Sequence, residues 1–288
     1  LPLVPECDTD ITKRAIDPFG GLKDLERRII RVVSEKTFVD DPIRLLRAPR
    51  FAHQLQFEID GHTEMLIRQA VWLLDLEPGE RIREELLRLL DPPGVLAGLT
   101  MLDDLGILTR LFPELELGRE MEQPAEHYWD VLHHNLECAG AIEEILREVE
   151  PRLGREKAVL ATPWDDGLKQ YFAENLGDGF SRRTWMKMAG FLHDVAKPHT
   201  REIESSGRMR FIGHHQVGAR LVENIGHRLR IGTRVIQFLT SLVEYHLRPS
   251  QMNPPGQLPS PRAVLRFFRD ANEAAESVAF LNMADYLA

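Results

Sequence analysis

Apolar residues recur at helical spacing along almost the whole of this 288-residue chain. Amphipathic stretches occupy residues 43–51, 63–74, 81–90, 95–105 and much of the second half. Residues 201–212 differ, because Ile203, Met209 and Phe211 alternate with charged neighbours around a Ser-Ser-Gly turn, as the strands of a hairpin do. The pattern therefore predicts a mainly α fold with one small β-hairpin.

Composition excludes several classes of protein. The 36 basic and 45 acidic residues give a net charge of −9, so any contact with RNA must use local basic patches. No apolar run approaches the roughly 20 residues that cross a bilayer, which predicts a cytoplasmic protein with no membrane partner. Cys7 and Cys138 lie far apart and outside any CxxC spacing, so we expect neither a disulfide framework nor a thiolate zinc site.

The helical pattern is interrupted twice. Pro113, Pro124 and the polar run 120–126 separate a first part from a second part that holds nine of the eleven histidines, and we place a domain boundary near residue 116. The second interruption, at residues 150–178, is rich in Pro, Gly and Asp. It predicts an irregular insertion with at most one short helix.

His193 and Asp194 form the clearest chemical signal, within the string RTWMKMAGFLHDVAKP. Apolar residues at helical spacing precede the pair, and Pro198 marks the predicted end of that helix. Neighbouring helical residues point about 100° apart, so this imidazole and carboxylate can flank one metal ion at the edge of a groove. A single pair of this kind is nevertheless more often structural.

Four further donors occur where a polar group on a predicted helix needs a partner, namely His134, His214, His246 and Asp285. Asp130, one turn before His134, is expected to take the second ring nitrogen of that histidine and fix its tautomer. His215 would point away from the side that His214 occupies. Each donor by itself is more often a satisfied core residue, but six donors on five successive elements together favour a metal site.

The second part resembles the HD superfamily of metal-dependent phosphohydrolases, in the form whose additional histidines allow two metal ions. The matching donors, in the same order, are His134, His193, Asp194, His214, His246 and Asp285. The strings HDVAKP, GHHQVGA and YHLRP resemble those of the HD domain attached to bacterial tRNA nucleotidyltransferases and poly(A) polymerases. The resemblance implies an all-helical HD domain over residues 116–288.

The resemblance also implies roles for these residues. Asp194 would bridge two metal ions, with His134, His193 and Asp285 completing one site and His214 and His246 helping to hold the other. Imidazole and carboxylate donors suit one or two ions of Mn, Ni, Fe, Co or Zn. His193 and Asp194 would then act in catalysis with Lys197 and Arg248, which are expected to neutralise charge on the phosphoryl oxygens.

The first part resembles class II nucleotidyltransferases, which include the CCA-adding enzymes. The matching strings are IDPFGGLKDLERRIIRVV, FVDDPIRLLRAPRFAHQLQFEID and GERIREELLRLL. The resemblance implies a remnant of an α/β nucleotidyltransferase head at residues 1–40 and a helical neck at residues 41–115. It also implies a nucleotide-binding site made of Asp41, Arg44, Arg47 and Arg81.

The sequence leaves a simpler interpretation of this segment open. Asp41 before Pro42 is typical of a helix N-cap, and Arg44, Arg47 and Arg50 have the i, i+3, i+6 spacing that is common on solvated helix faces.

Two functions of different classes follow. The resemblance implies phosphatase or cyclic phosphodiesterase activity on nucleotides or RNA ends, and nucleotidyl transfer only if a head that holds Mg²⁺ is supplied. The alternative is an RNA- and nucleotide-binding portion of a nucleotidyltransferase, whose HD domain is mainly a scaffold. That alternative rests on two basic clusters, Arg27, Arg28 and Arg31, and Arg182, Arg183 and Lys187. In both cases the expected partner is a nucleotide or an RNA 3′ end, in particular that of tRNA, and a homodimer is left open.

Overall fold

The computed structural model describes residues 16–123, 128–252 and 256–288. Most of these residues are helical, as the sequence predicts. Residues 1–15, which belong to the predicted head remnant, lie outside the described ranges. Within those ranges, no helix is both long and apolar enough to cross a membrane.

The first part of the chain contains eight helices and two strands among its described residues. These elements are α1 (Gly21–Arg27), β1 (Ile29–Ile30), α2 (Thr37–Asp40), α3 (Arg44–Leu55), β2 (Glu58–Ile59), α4 (Gly61–Ala70), α5 (Gly79–Leu90), α6 (Val95–Asp104), α7 (Leu108–Leu111) and α8 (Pro113–Glu116). A 3₁₀ segment, Val71–Leu76, connects α4 and α5.

The second part contains nine helices and four strands in the ranges described. These elements are α9 (Val131–Ile145), α10 (Glu156–Ala161), α11 (Asp166–Ala173), β3 (Asn175–Gly177), β4 (Phe180–Ser181), α12 (Arg182–Leu192), β5 (Arg201–Ile203), β6 (Met209–Phe211), α13 (His214–Arg228), α14 (Thr233–Tyr245), α15 (Arg248–Gln251), α16 (Pro261–Ala271) and α17 (Ala275–Leu287). Two 3₁₀ segments, Pro198–Thr200 and Asn272–Ala274, precede β5 and α17.

The short strands pair two by two. The predicted hairpin is present, because β5 and β6 are antiparallel with Arg201 opposite Phe211. Strands β3 and β4 form a second antiparallel pair. Strands β1 and β2 are parallel, with Ile29 opposite Glu58, and the sequence pattern did not predict either of these two pairs.

Three local predictions are wrong. Helix α12 ends at Leu192, so His193 and Asp194 follow the helix instead of lying inside it. Residues 150–178 contain two helices, α10 and α11, where at most one was expected. Asp41 precedes α3, but its side chain makes no cap to that helix, because three arginines engage the carboxylate.

One continuous apolar core extends from Phe38 in the first part to Ala284 near the end of the chain. At its centre α9, α12, α14 and α17 pack against one another. Gly190 on α12 permits close approach to α9, since a Cβ atom there would lie 2.9 Å from the Cα atom of Ala139. The packing places the rings of His134 and His193 only 5.3 Å apart. Because the core continues across residue 116, the domain boundary there stays a prediction.

A buried ionic group joins the two parts of the chain. Lys187 on α12 is fully buried, and its Nζ atom lies 2.8 Å from Glu143 Oε1 and 3.0 Å from Glu148 Oε2. The same ammonium group donates at 3.0–3.3 Å to three carbonyl oxygens at the end of α5, those of Leu90, Asp91 and Pro92. A buried charge is tolerated only with such partners.

Glu143 extends this link to the next helix, because its carboxylate accepts hydrogen bonds from the backbone N–H groups of Gly94 and Val95 at the start of α6. Arg182 is also buried, and its guanidinium lies 4.0 Å from the centre of the Tyr171 ring. The predicted RNA-binding cluster of Arg182, Arg183 and Lys187 is therefore wrong for two of its three members, which have internal partners.

Replacing Lys187 by Met should lower the free energy of unfolding by about 3–5 kcal/mol, because Glu143 would be left buried without its cation and Glu148 would keep only the partly exposed Arg183. Arg183→Met is the matched control on the same helix. The Arg183 side chain is 43% exposed and lies 3.4 Å from Glu148, so its loss should cost less than about 1 kcal/mol. Urea denaturation measures both values, and similar costs for the two variants would contradict the inferred buried link.

Candidate metal centre

The six predicted metal ligands meet at one end of the helical core. They are His134 in the first turn of α9, His193 and Asp194 directly after α12, His214 at the start of α13, His246 directly after α14, and Asp285 on α17. Each lies on the apolar side of its helix or at that helix's end, so packing of the core brings the polar atoms together. Five of them are buried, and the side chain of Asp285 is 17% exposed.

One oxygen of Asp194 belongs to a group of four donors. Asp194 Oδ2 lies 3.3 Å from His193 Nε2 and 3.7 Å from His134 Nε2. Asp285 Oδ1 lies 3.0 Å from His134 Nε2 and 3.4 Å from His193 Nε2. All four ligand atoms lie within 4.8 Å of one another, which is close enough to surround a single metal ion.

The other oxygen of Asp194 belongs to a second group. Asp194 Oδ1 lies 3.2 Å from His214 Nε2 and 3.6 Å from His246 Nε2. These three residues could hold another ion. The two groups share Asp194, with one carboxylate oxygen facing each, so the arrangement suits two cations joined by a bridging carboxylate.

Backbone carbonyl groups fix the orientation of three of the imidazoles. The Nδ1 atoms of His193, His214 and His246 lie 2.7, 2.6 and 2.7 Å from the carbonyl oxygens of Gly190, Phe211 and Val243, respectively. A carbonyl oxygen only accepts, so each Nδ1 must donate its proton. In the neutral ring the Nε2 lone pair then points toward Asp194, which is the form that binds a metal ion.

The polar atoms at the centre need a cation. The Nε2 atoms of His193, His214 and His246 and the Oδ1 atom of Asp194 are buried and have no hydrogen-bond partner among the described residues. Lone pairs that face a carboxylate in a dry interior repel one another and are costly to bury. Imidazole nitrogen and carboxylate oxygen donors fit Mn, Fe, Co, Ni or Zn. The residues present therefore fit the divalent metal that the sequence predicts.

Charge at the centre favours the ionised form of Asp194. Burial by itself would raise the pKa of this carboxyl group, but the charge of Lys197 lowers it well below its usual range. Burial likewise lowers the pKa of His193, and Asp194 more than reverses that effect. A proton and a metal ion thus compete for the Nε2 atom of His193.

Lys197 lies between the cluster and a cavity of about 410 Å³, which we call the Lys197 cavity. Its Nζ atom lies 2.5 Å from Asp194 Oδ2 and donates to Gln123 Oε1 at 2.7 Å. The cavity is lined by Asp194, Lys197, Met209, Arg210, Phe211, Ile212, Gly213, His214, His215, Leu247, Gln251 and Asp285. Two cationic side chains, Lys197 and Arg210, line this cavity beside the candidate metal site and make it suitable for an anionic group.

Two other residues with predicted roles have different partners. Arg248 Nη2 lies 3.1 Å from Asp270 Oδ2, so an acidic residue of α16 holds its guanidinium. Asp130 caps α9 by accepting from the backbone N–H of His133, and its carboxylate also lies 2.9 Å from His133 Nδ1. The expectation that Asp130 orients His134 is therefore wrong.

In the first part of the chain, the predicted nucleotide-binding residues meet around Asp41. Its carboxylate lies 2.9 Å from Arg81, 3.5 Å from Arg44 and 3.7 Å from Arg47. The three arginine side chains are each more than 40% exposed, so a ligand can reach them.

Two polar residues that support these sites, Gln123 and Glu85, were not predicted from the sequence. Gln123 joins Lys197 to the loop before α9, because its Nε2 atom donates to the carbonyl oxygen of Trp129. Glu85 accepts from both Arg47 and Arg50 in the first part. Glu85 could have been found, since it is an acidic residue on the apolar face of α5, whereas no sequence signal marks Gln123.

Comparison with known proteins supports the family resemblance predicted for the first part of the chain and the one predicted for the second part. The profile of the HD domain matches residues 131–288, which is more than half of the chain. Residues 56–117 match a family described as the probable RNA and SrmB-binding site of polymerase A. An A-adding tRNA nucleotidyltransferase from Deinococcus radiodurans is 32% identical over 99% of this chain. The chain belongs to the class II tRNA nucleotidyltransferase family, with a neck and an HD domain. The family predicted from the sequence is confirmed.

Other relatives show how much of such proteins the chain represents. A CC-adding tRNA nucleotidyltransferase from Thermus thermophilus is 28% identical over 93% of this chain. The chain spans 61% of the Deinococcus protein and 54% of the Thermus protein. The chain is also similar to a solved structure of the Thermotoga maritima CCA-adding enzyme complexed with tRNA. The two superpose with a TM-score of 0.55 at 20% identity, over 95% of this chain and 51% of the Thermotoga chain. That likeness shows the fold.

Loss of a central donor should release metal. His134→Ala is expected to lower the amount of Mn²⁺ or Ni²⁺ retained after dialysis by about tenfold or more, because it removes one of four donors around the first position. His133→Ala is the matched control, since this neighbouring side chain is 49% exposed and faces Asp130. Elemental analysis measures both variants. Retention of metal by His134→Ala at the level of His133→Ala would contradict the assignment.

Proposed function

We propose that the chain is the neck and the metal-dependent phosphohydrolase domain of a tRNA nucleotidyltransferase-family protein. Its HD domain would act as a phosphatase or cyclic phosphodiesterase on nucleotides or RNA ends. The observation that carries this proposal is that Asp194 belongs to two groups of donors, in which the Nε2 atoms of His193, His214 and His246 are buried without a hydrogen-bond partner among the described residues. A purely structural role would leave these buried polar atoms without compensation.

The chain's own residues would hold one metal ion through His134, His193, Asp194 and Asp285, and a second through Asp194, His214 and His246. When bound, such ions lower the pKa of water toward about 7 and polarise phosphoryl oxygens. The carbonyl groups behind three of the histidines would hold the proton of the neutral ring on Nδ1 and keep Nε2 aimed at the centre. These three imidazoles would then not have to rotate when a metal ion binds.

Lys197 would bind the phosphate, and Arg210 would join it after leaving Glu204, whose Oε1 atom lies 2.8 Å from Arg210 Nη1. Both line the Lys197 cavity beside Asp194, and the ammonium group of Lys197 already lies next to that carboxylate. A phosphoryl group placed there would gain charge-assisted hydrogen bonds on the side away from the metal ions. Arg248 would contribute only after leaving Asp270, so we rank it below Lys197 for this role.

A second function belongs to the neck, where specific observations favour binding of nucleotides or RNA. The matched family is named for RNA binding, and the relatives are named as tRNA nucleotidyltransferases. Arg44, Arg47 and Arg81 converge on Asp41 with half-exposed side chains. These donors and the acceptor together could recognise a base edge or an RNA backbone. Nucleotidyl transfer itself is proposed only together with a head that holds Mg²⁺.

The hydrolase proposal predicts that the full chain, loaded with Mn²⁺ or Ni²⁺, hydrolyses adenosine 2′,3′-cyclic phosphate and that EDTA stops the reaction. His193→Ala should lower kcat/KM by at least about a hundredfold, because it removes a metal donor. His227→Ala, an exposed histidine on α13, should retain wild-type activity. Wild-type rates in His193→Ala, or rates insensitive to EDTA, would refute hydrolysis at this centre.

The neck proposal predicts tRNA binding that weakens with added salt, because phosphate contacts release counterions. Arg81→Ala should weaken this binding about fivefold or more by opening the arginine group around Asp41. Arg110→Ala removes a similarly exposed arginine that pairs with Asp75 and should have little effect. Filter binding over a range of salt concentrations compares the two, and equal losses would argue against a site at Asp41.

A further inference from the structure

The hairpin formed by β5 and β6 lies at the edge of the Lys197 cavity. Two of its residues, Met209 and Phe211, line that cavity, and Lys197 Nζ lies 5.6 Å from the centre of the Phe211 ring. Helix α13 begins at the candidate ligand His214, three residues after β6 ends. The hairpin is therefore held directly beside the candidate metal centre, where its exposed side chains can contact the part of a substrate that extends out of the cavity.

One face of the hairpin carries a cation without a partner. Arg201 lies directly opposite Phe211, and Ile203 lies directly opposite Met209. Residues opposite each other in an antiparallel pair point to the same side, so these four side chains share one face, which we call the Arg201 face. Arg201 is exposed, and its guanidinium has no hydrogen bond or ion pair with any described residue. Ile203 is 62% exposed, so the Arg201 face combines a free positive charge with apolar surface.

The charges on the other face of the hairpin balance one another. Glu202 lies opposite Arg210, whose Nη1 atom is 2.8 Å from Glu204 Oε1. Arg208 lies opposite Glu204, because the backbone N–H of Glu204 donates to the carbonyl oxygen of Arg208. Two acidic and two basic side chains therefore share this face. The uncompensated positive charge of the hairpin lies on the Arg201 face.

The hairpin region is also a basic patch in an acidic chain. The whole chain has a net charge of −9, so RNA can bind only where basic residues cluster locally. Residues 197–212 carry four basic and two acidic side chains. Arg182 and Lys187, in contrast, are buried and donate to internal partners. The second part of the chain therefore offers an anionic polymer a cationic contact beside the candidate metal centre.

The position of Arg201 determines which phosphate it can meet. Arg201 does not line the Lys197 cavity, whereas its cross-strand neighbour Phe211 does. Side chains opposite each other in such a pair have Cβ atoms about 5 Å apart, so Arg201 lies just outside the cavity. A mononucleotide whose single phosphate reacts inside the cavity has no charge left for Arg201. An RNA chain has one, on the phosphate that links its terminal nucleoside to the preceding nucleotide.

We infer that the Arg201 face binds the backbone of an RNA 3′ end, with Arg201 on the phosphate before the terminal nucleoside and a base against Phe211 or Ile203. The guanidinium group matches phosphate oxygens in charge and geometry. A cation beside an aromatic ring is the combination that proteins use for single-stranded nucleic acid. This inference deepens the proposed hydrolase function and rests on it for the reaction, although RNA binding itself does not. It selects RNA ends over mononucleotides as substrates.

The first test compares two substrates that differ in the charge of one internal phosphate. The metal-loaded full chain is given adenylyl-(3′→5′)-adenosine 2′,3′-cyclic phosphate and the analogue whose internal phosphate is an uncharged methylphosphonate. Both have the same bases and the same reactive ring. The value of kcat/KM should be about tenfold higher for the charged dinucleotide, because it alone offers Arg201 a charge-assisted hydrogen bond. Arg201→Gln should bring the ratio of the two values close to one.

Arg208→Gln is the matched control, because Arg208 is an exposed arginine on the other face of the same hairpin. This variant should keep the wild-type ratio. A wild-type ratio near one, or an equal fall of the ratio in the two variants, would refute phosphate binding at the Arg201 face while leaving hydrolysis intact. No hydrolysis of either dinucleotide would refute the hydrolase proposal, and the second test would then decide the inference.

The second test measures binding without catalysis. Adenylyl-(3′→5′)-adenosine 3′-phosphate and its methylphosphonate analogue are titrated calorimetrically into the full chain at low salt in the presence of EDTA. The charged dinucleotide should bind the wild type about tenfold more tightly than the neutral one. Arg201→Gln should remove this difference, and Arg208→Gln should keep it. Equal affinities of the wild type for the two dinucleotides, or a difference that survives Arg201→Gln, would overturn the inference.

Discussion

The buried carboxylate of Asp194 is the constraint on which the rest of the second part depends. One of its oxygens faces His134 and His193, and the other faces His214 and His246. Burying this carboxylate is costly unless positive charge compensates it. Lys197 supplies one positive charge, and metal ions held by the surrounding histidines would supply more. This compensation depends on packing that brings one end of each of five helices, α9, α12, α13, α14 and α17, to the same place around Asp194.

Helix ends explain how the imidazoles are oriented. The last carbonyl groups of a helix have no partner within the helix. His193 and His246 each follow a helix directly, and each engages the carbonyl oxygen three residues earlier, that of Gly190 or Val243. One interaction thus satisfies the helix end and turns Nε2 toward the centre. A position immediately after a helix therefore suits a candidate metal ligand, because the backbone there still supplies acceptors for Nδ1.

The sequence predicted the parts of the molecule that depend on local spacing. The helices and the hairpin could be found because their apolar residues recur at regular spacing. The six candidate metal ligands could be found because they are polar residues on, or at the ends of, those apolar helix faces. Partner choice depends on tertiary packing and could not be found in this way. Asp130 binds His133 instead of His134, and Asp41 engages arginines instead of capping α3. Lys187 looked like a surface cation because its carbonyl partners lie nearly a hundred residues earlier in the chain.

That last contact bears on how proteins of this kind can be divided or recombined. Lys187 needs the carbonyl groups of residues 90–92, and Glu143 needs the N–H groups of residues 94 and 95. The turn between α5 and α6 therefore forms a buried polar contact with Glu143 on α9 and Lys187 on α12. A chimaera that exchanges HD domains between homologues should carry this turn along with the domain. Otherwise its polar groups would meet an unmatched surface in the interior of the hybrid.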